Sequence, residues 1–530
     1  MEKPKILPKR IGVKESAADN YKVLRVVLGT SVLLVFGFLR VAAQENSQQA
    51  PQDAAMEAQQ SQTVPVERPE QKKTDHDRSD IFKTQNAQPS SPEFEKQPEE
   101  GKTSGFDFYR DPLNSDRPGE DPSATMQRLI AQKPKVNALQ RQLLERRYNL
   151  NPKLDPEAKM SRGKPLAVGP TARLKGGLSW DQLSQMTPDQ IKQQDAFPYP
   201  SLPHPLMAGG GGQTFPQIQI KMFPRLQRID ADFDLPEVFL PEFPPAIFLT
   251  NRPELGDVSR GEVVSINNYY GLFKDLLTAV QLDGLRLLVT PFPQEEFNPT
   301  DDRKSKEPSL GVTCLDCHVN FHTTGQFHVS PDIRPQERRL RLDTVSLRGV
   351  FNQQIFGSKR SFRSVEDFTE FEQRTAYFNG DEIHAIKKGM NILDRIQVSH
   401  MAQMEKMIDF PPAPKLDPIT GHLIKERATE AELRGEQIFM GKGQCSSCHP
   451  ASLYMDNQMH DLHLERFLKN EPADGPMKTF SLRGIKDSPP YLHDGRCFTL
   501  EDTVEFFNIV QQLRLGEREK SDLVAFLRAL

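Results

Sequence analysis

The alternation of apolar and polar positions divides the chain into unlike parts. Near the start a single apolar run, residues 26–39, follows Lys3, Lys5, Lys9, Arg10 and Lys14. It is shorter than the ~20 residues that a comfortable membrane span requires. Val41-Ala42-Ala43 comes next, a small-residue site suited to signal peptidase. Residues 1–43 are therefore expected to be a cleaved secretory signal. The alternative is an uncleaved N-terminal anchor over 23–43, with Arg25 and Arg40 reaching the interfaces. Residues 44–102 are Gln, Pro, Glu, Ser and Lys with almost no large apolar side chains. Such a segment buries too little surface to offset its ordering entropy, and a disordered tether is expected.

Helical periodicity begins at 124–147 and returns at 179–194, where Ser179 or Thr187 can cap. Between 197 and 245 the pattern dissolves. Pro236, Pro241, Pro244 and Pro245 preclude a long helix. Residues 103–259 read as an irregular proline-rich region, an extended arm wrapping a folded core. Residues 260–277 read as an amphipathic helix, 282–288 as a further turn or two, and 430–440 as a clear helix.

Part of the pattern repeats. Ser346-Leu347-Arg348-Gly349 recurs as Ser481-Leu482-Arg483-Gly484, an offset of 135 residues. Glu366-Asp367 and Glu370-Phe371 recur at the same offset as Glu501-Asp502 and Glu505-Phe506. Two homologous halves follow, 260–424 and 425–530.

Composition adds little until the cysteines are counted. A formal net charge of −4 on 530 residues implies no nucleic-acid partner. Of the five cysteines, four lie in Cys314-Leu315-Asp316-Cys317-His318 and Cys445-Ser446-Ser447-Cys448-His449. C-x-x-C-H is the pattern of covalent haem attachment: each thiol adds to a vinyl group, and the histidine binds iron. The rivals are zinc, which also takes Cys and His at short spacing, and a redox or disulfide pair. Neither rival requires His directly after the second Cys, twice. Two covalently bound haem c groups are expected. Arg348 and Arg483 are candidates to pair with haem propionates, because Arg binds carboxylates bidentately. The odd cysteine, Cys497, is expected to be a buried structural thiol.

Together these residues resemble the bacterial dihaem cytochrome c peroxidase and MauG-like family. The segment Leu433-Arg434-Gly435-Glu436-Gln437-Ile438-Phe439 is similar to the family's helix before haem, and Met477-Lys478-Thr479-Phe480-Ser481-Leu482-Arg483-Gly484 to its F-K-T-P-S-L-R-N segment. Pro490-Tyr491-Leu492-His493-Asp494-Gly495-Arg496 is similar to its P-Y-F-H-D-G-R signature, and Asp456-Asn457-Gln458-Met459-His460 to its D-x-x-F-H-N stretch. The resemblance covers about 281–530. It implies a mainly α fold with two cytochrome c-like haem domains in tandem. The second haem would pass electrons and the first would meet peroxide, with a calcium ion between them. Asp343 and the backbone around Ser488 and Pro490 are the candidate calcium ligands by position. His318 and His449 would be proximal ligands, and His328, with His322 behind it, the distal candidate.

The chain departs from the family at several places. Phe368 falls where the family has a peroxide-pocket glutamine, and Glu370 or Glu372 only approximates its glutamate. The tryptophan between the haems is absent, leaving Tyr377 or Phe356 for that gap. The sixth ligand of the second haem, methionine or tyrosine in the family, falls on Phe507, which has no lone pair for iron. Met455, Met459, His460, His463 and Met477 are the other residues within reach of that role. The expected function is that of an exported oxidoreductase, periplasmic or on the outer face of the cytoplasmic membrane. It would use peroxide or another small oxidant, with Glu372 as a candidate acid/base. Its donor would be a small redox protein of cytochrome c or cupredoxin type. The alternatives are a dihaem electron carrier or subunit of a larger redox complex, and a MauG-like oxidase of a protein substrate.

Overall fold

The structure, a computed structural model, describes residues 122–202, 213–226, 235–291, 313–328, 342–358, 362–372, 393–469 and 474–530. The expected signal or anchor, the tether and Tyr377 lie outside these residues.

The described residues are helix-rich, with a few short strands. The helices are α1 (Pro122–Arg147), α2 (Trp180–Gln185), α3 (Pro188–Gln193), α4 (Gln217–Met222), α5 (Tyr269–Phe273) and α6 (Ala279–Leu288). There follow α7 (Cys314–Cys317), α8 (Val365–Phe371), α9 (Arg395–Glu405), α10 (Glu430–Met440), α11 (Leu500–Val510) and α12 (Glu517–Ala529). The strands used below are β1 (Lys153–Lys159), β2 (Pro165–Val168), β3 (Gln213–Thr214), β4 (Phe248–Leu249), β5 (Phe327–His328), β6 (Leu342–Asp343), β7 (Ile408–Asp409), β8 (Met459–His460) and β9 (Met477–Lys478). No helix among the described residues is long and apolar enough to cross a membrane.

Local chemistry explains where expectation and structure part. The helix expected over 179–194 is two helices, α2 and α3. Each has its own capping box, Ser179 with Gln182 and Thr187 with Gln190. Pro188 begins the second and disfavours helical backbone in the residue before it. The helix expected over 260–277 shrinks to α5, since Arg260 and Gly261 both take positive φ, 54° and 80°. The long helix is the next one, α6, started by a Thr278–Gln281 capping box. The helix expected at 430–440 is α10.

The sequence repeat is also a repeat of geometry. In the first half α6 crosses α9, and in the second α10 crosses α12. A Cβ on Gly284 would lie 2.0 Å from the His400 carbonyl oxygen, and one on Gly435 2.0 Å from that of Asp522. Only glycine permits either crossing. In both SLRG segments the Ser hydroxyl accepts from the Arg amide, Arg348 at 3.2 Å and Arg483 at 3.1 Å. Both glycines are left-handed, and both donate beyond the last helix of their half, to Ile408 and to Leu530. In both halves the next helix has a hydroxyl cap, Ser364 for α8 and Thr499 for α11.

Residues before 260 are built into both cores. Leu144, Tyr148, Phe197, Tyr199 and Leu202 are buried with the helices of the second half. Phe215, Ile220, Ile247 and Leu249 are buried with those of the first. Buried Asp502 ties the former group down, accepting from Thr171 N (2.7 Å), Thr171 Oγ1 (2.6 Å) and Tyr199 Oη (3.0 Å). Strand β4 pairs with β7, and β3 joins β5 and β6 in a three-stranded sheet.

Candidate functional site

Each C-x-x-C-H segment forms a tight turn that fixes its histidine. The first is α7, where the Thr313 amide donates to Asp316 Oδ2 at 2.8 Å and the Asp316 amide to the Thr313 carbonyl at 3.1 Å. Its cap residue, His318, donates through Nδ1 to the Val345 carbonyl at 2.8 Å. The second is a 3-10 turn over Cys445–Ser447, entered through Gln444 at φ 54°. There His449 donates through Nδ1 to the Tyr454 carbonyl, again at 2.8 Å. A carbonyl oxygen can only accept, so Nδ1 carries the proton in both rings and Nε2 carries the lone pair. Such an outer partner orients a metal-binding imidazole. Burial holds His318 down to about 4 against the opposing Val345 bond, and it lowers His449 likewise. Burial thus favours the neutral form of both rings.

The second motif opens on a cavity of about 410 Å³, lined by Cys445, Cys448 and His449. This lies within the range of cofactor-sized sites. Its apolar wall includes Phe439, Val504, Phe506, Phe507, Leu523 and Leu527. Lys478 and Arg483 also line it, and neither has an Asp or Glu side chain within ion-pairing distance among the described residues. Burial pushes the Cys445 thiol up to about 12, which disfavours a free thiolate. A flat apolar group that carries two carboxylates and consumes both thiols answers all these features, and haem is such a group. A zinc site fits poorly. Among the described residues, the donors from this motif's surroundings that converge are Cys448, Asp456 and His460, within 4.8 Å of one another, without Cys445 or His449.

The other expected site residues are placed as follows. Arg348 also lines the cavity, but its charge is already neutralised. Nη1 lies 3.0 Å from Asp487 Oδ2 in a pair exposed by only 4% and 2%, and Nη2 donates to the Ala246 carbonyl. The guanidinium thus joins the two halves. Arg483 donates to the Leu530 backbone oxygen at 3.0 Å, and its guanidinium lies 5.7 Å from the Phe410 ring. Asp343, Ser488 and Pro490 line the same cavity. The Asp343 amide donates to the His493 carbonyl at 2.7 Å across the halves.

His328 lies on β5, opposite Gln213 of β3 and Leu342 of β6. His322 is committed at both nitrogens, Nδ1 to Ser346 Oγ at 2.7 Å and Nε2 to the Asp487 carbonyl at 3.0 Å, so it is a tie between halves. Glu372 is the half-buried C-cap of α8, and Glu370 is paired with Arg395 at 2.8 Å. Cys497 is fully buried, and burial raises its thiol. Phe507 lines the cavity, as do Met477 and His460; His460 Nε2 lies 2.6 Å from Asp456. Met455 is buried away from the cavity lining, and His463 is exposed beside Glu465. Sequence reasoning passed over Asp487 and Lys478. The second stood inside a quoted motif, and only the absence of an acid opposite it, a tertiary fact, would have marked it.

No family model matches the chain. Curated relatives do. The chain is 31% identical over 118 residues to the methylamine utilization protein MauG of Methylorubrum extorquens, covering 18% of this chain and 33% of that protein. It is 31% identical over 146 residues to the cytochrome-c peroxidase IdrP2 of Denitromonas iodatirespirans, covering 19% and 40%. It is 34% identical over 154 residues to the cytochrome c551 peroxidase of Nitrosomonas europaea, covering 26% and 44%. The chain thus spans less than half the length of each of these relatives. Among solved structures, hydrazine synthase of Kuenenia stuttgartiensis has a TM-score of 0.33 at 20% identity, covering 51% of this chain and 94% of that one. A MauG-like protein associated with microbial copper homeostasis has a TM-score of 0.30 at 17% identity, covering 41% and 82%. The curated relatives define a class, peroxidase-like c-type cytochromes. Within that class the chain is similar, over part of its length, to bacterial cytochrome c peroxidases and MauG proteins.

Proposed function

We propose that this protein is an exported c-type cytochrome with two covalently bound haems, one in 260–424 and one in 425–530, that passes electrons to peroxide or a related small oxidant. The observation that carries the reading is the doubled turn in which His318 and His449 each give Nδ1 to a main-chain carbonyl, an arrangement that would leave Nε2 for a metal. Cys314, Cys317, Cys445 and Cys448 would hold the haems as thioethers. When bound, the haems supply one-electron chemistry at an iron whose potential is set by its axial ligands and surroundings.

The chain's own share is to hold, to insulate and to move protons. The apolar wall that includes Phe439, Phe506, Phe507 and Leu527 would shield a bound haem from water. Asp343 and the backbone at Ser488 and Pro490 would hold calcium, a hard cation suited to oxygen donors. Reducing a peroxide to water consumes protons, and His328 and Glu372 are the candidate carriers in the first half. Electrons would come from a small redox protein of cytochrome c or cupredoxin type in the periplasm, with the N-terminal segment as the candidate membrane tether. One observation favours a plain electron carrier instead: Glu370 is tied to Arg395, and the position expected to hold the peroxide-pocket glutamine is Phe368.

Intact mass should exceed the polypeptide by two haem groups, and replacing Cys445 and Cys448 should remove one of them. Zinc in place of haem ends the reading. The electronic spectrum separates the rivals: a high-spin ferric band marks an open iron site, and two low-spin haems mark a carrier.

A further inference from the structure

We propose that Lys478 binds one carboxylate of the haem held at the second motif, with Gln353 of the other half steadying its ammonium group. The assignment rests on the haem reading above. Lys478 is only 5% exposed and lines the cavity. Its amide is fixed by the Ser358 carbonyl at 2.9 Å, and Nζ bonds the Gln353 amide oxygen. The ammonium lies 5.6 Å from the centre of the Phe356 ring and 4.7 Å from that of Phe480. All of these partners are neutral. An amide and two ring faces return only part of what a buried cation loses on leaving water. Burial alone accounts for the fall of its pKa to about 7.

The charges around it are already assigned. His460 and Asp456, on the β8 side, bond each other. Arg348 is matched by Asp487, and Asp474 by Arg496. The segment 353–358 brings no titratable group. Lys478 and Arg483 remain as cations on the cavity with no Asp or Glu at ion-pairing distance among the described residues, Asp409 acting on Arg483 only from further off, and haem brings two carboxylates. Because Gln353 and Ser358 belong to the first half, the bound carboxylate would also fasten the two halves together.

The test uses purified protein shown by intact mass to carry two haems, comparing wild type with Lys478→Gln and Lys478→Arg by potentiometric titration. Removing a cation beside a haem disfavours the reduced form's extra electron, so Lys478→Gln should lower one of the two potentials and leave the other in place. Its carboxylate, no longer held ionised, should make that potential fall with pH between about pH 5 and 7.5. Wild type should be flat there, and Lys478→Arg should restore both potential and flatness. A Lys478→Gln protein with two haems and an unchanged potential and slope overturns the assignment. So does a wild-type slope in that range, which can be measured even if the Gln variant does not fold. Absence of the second haem from wild type would instead defeat the functional reading itself.

Discussion

Asp487 is where three parts of the chain meet. Its carboxylate accepts from Arg348 Nη1 at 3.0 Å, from Ser161 N at 3.0 Å and from Ser161 Oγ at 2.5 Å, while its carbonyl accepts from His322. Asp487→Asn keeps the shape and removes the charge. It leaves the Arg348 guanidinium buried without its anion, a loss of ~3–5 kcal/mol. It also turns an acceptor oxygen into an NH₂ facing Ser161, about 1 kcal/mol more. The expected loss is therefore roughly 4–6 kcal/mol. Arg348→Met leaves the carboxylate unpaired, a loss of ~3 kcal/mol or more, softened by the two Ser161 donors. Because each change removes the same interaction, the double variant should lose less than the sum by up to ~3 kcal/mol. Urea unfolding, followed by far-ultraviolet circular dichroism and by the fluorescence of Trp180, reads all four proteins. Trp180 suits the purpose, since it packs 6.1 Å from Tyr199 in the region joined to the second half. Additivity within ~0.5 kcal/mol would refute the reasoning, because the two charges would then not feel each other. A loss below ~1 kcal/mol for Asp487→Asn would do the same, since that is the behaviour of a solvated pair.

Phe507→Met places a thioether on the cavity wall where the family's axial ligand falls. The variant should gain the near-red band of a methionine-ligated ferric haem and a raised potential; a wild-type spectrum that already has the band means another residue holds the position. Gly435→Ala should destabilise the second half by about 2 kcal/mol or more in thermal melts, because the Cβ would lie 2.0 Å from the Asp522 carbonyl and overpacking outweighs the ~1 kcal/mol gain in helix propensity. An unchanged melting temperature would show that the crossing can open. Glu405 is held up to about 8 by burial, with Glu366 adding to it. Its folded value exceeds the unfolded one, so its contribution to stability is full below about pH 4.3 and is lost as pH rises towards 8. Glu405→Gln should therefore melt higher than wild type at pH 8, with the gap closing as pH falls; a gap independent of pH refutes the assignment.

The sequence alone determined the features that depend on neighbours along the chain. Two C-x-x-C-H turns, the SLRG repeat and the helix at Glu430–Met440 were legible because a capping box, a turn glycine or a ligand spacing acts over a few residues. The same locality explains the misjudged helices. Pro188 and Gly261 are local signals too, and periodicity read without them joined α2 to α3 and overextended α5. Tertiary structure decided which charges are satisfied. Arg348 and Arg483 occupy the same place in the repeat, yet Asp487, far off in sequence, neutralises the first, whereas among the described residues no carboxylate comes within ion-pairing distance of the second and Asp409 acts on it only from further off. Lys478 looks like any solvent-facing lysine until Gln353, Phe356 and Phe480 close over it. Tertiary structure likewise built residues before 260 into both cores, through Asp502 and the pairing of β4 with β7. The physical reason is range. Helix signals are carried by bonds three or four residues apart, whereas the state of a buried charge depends on whatever the folded chain brings within a few ångströms of it.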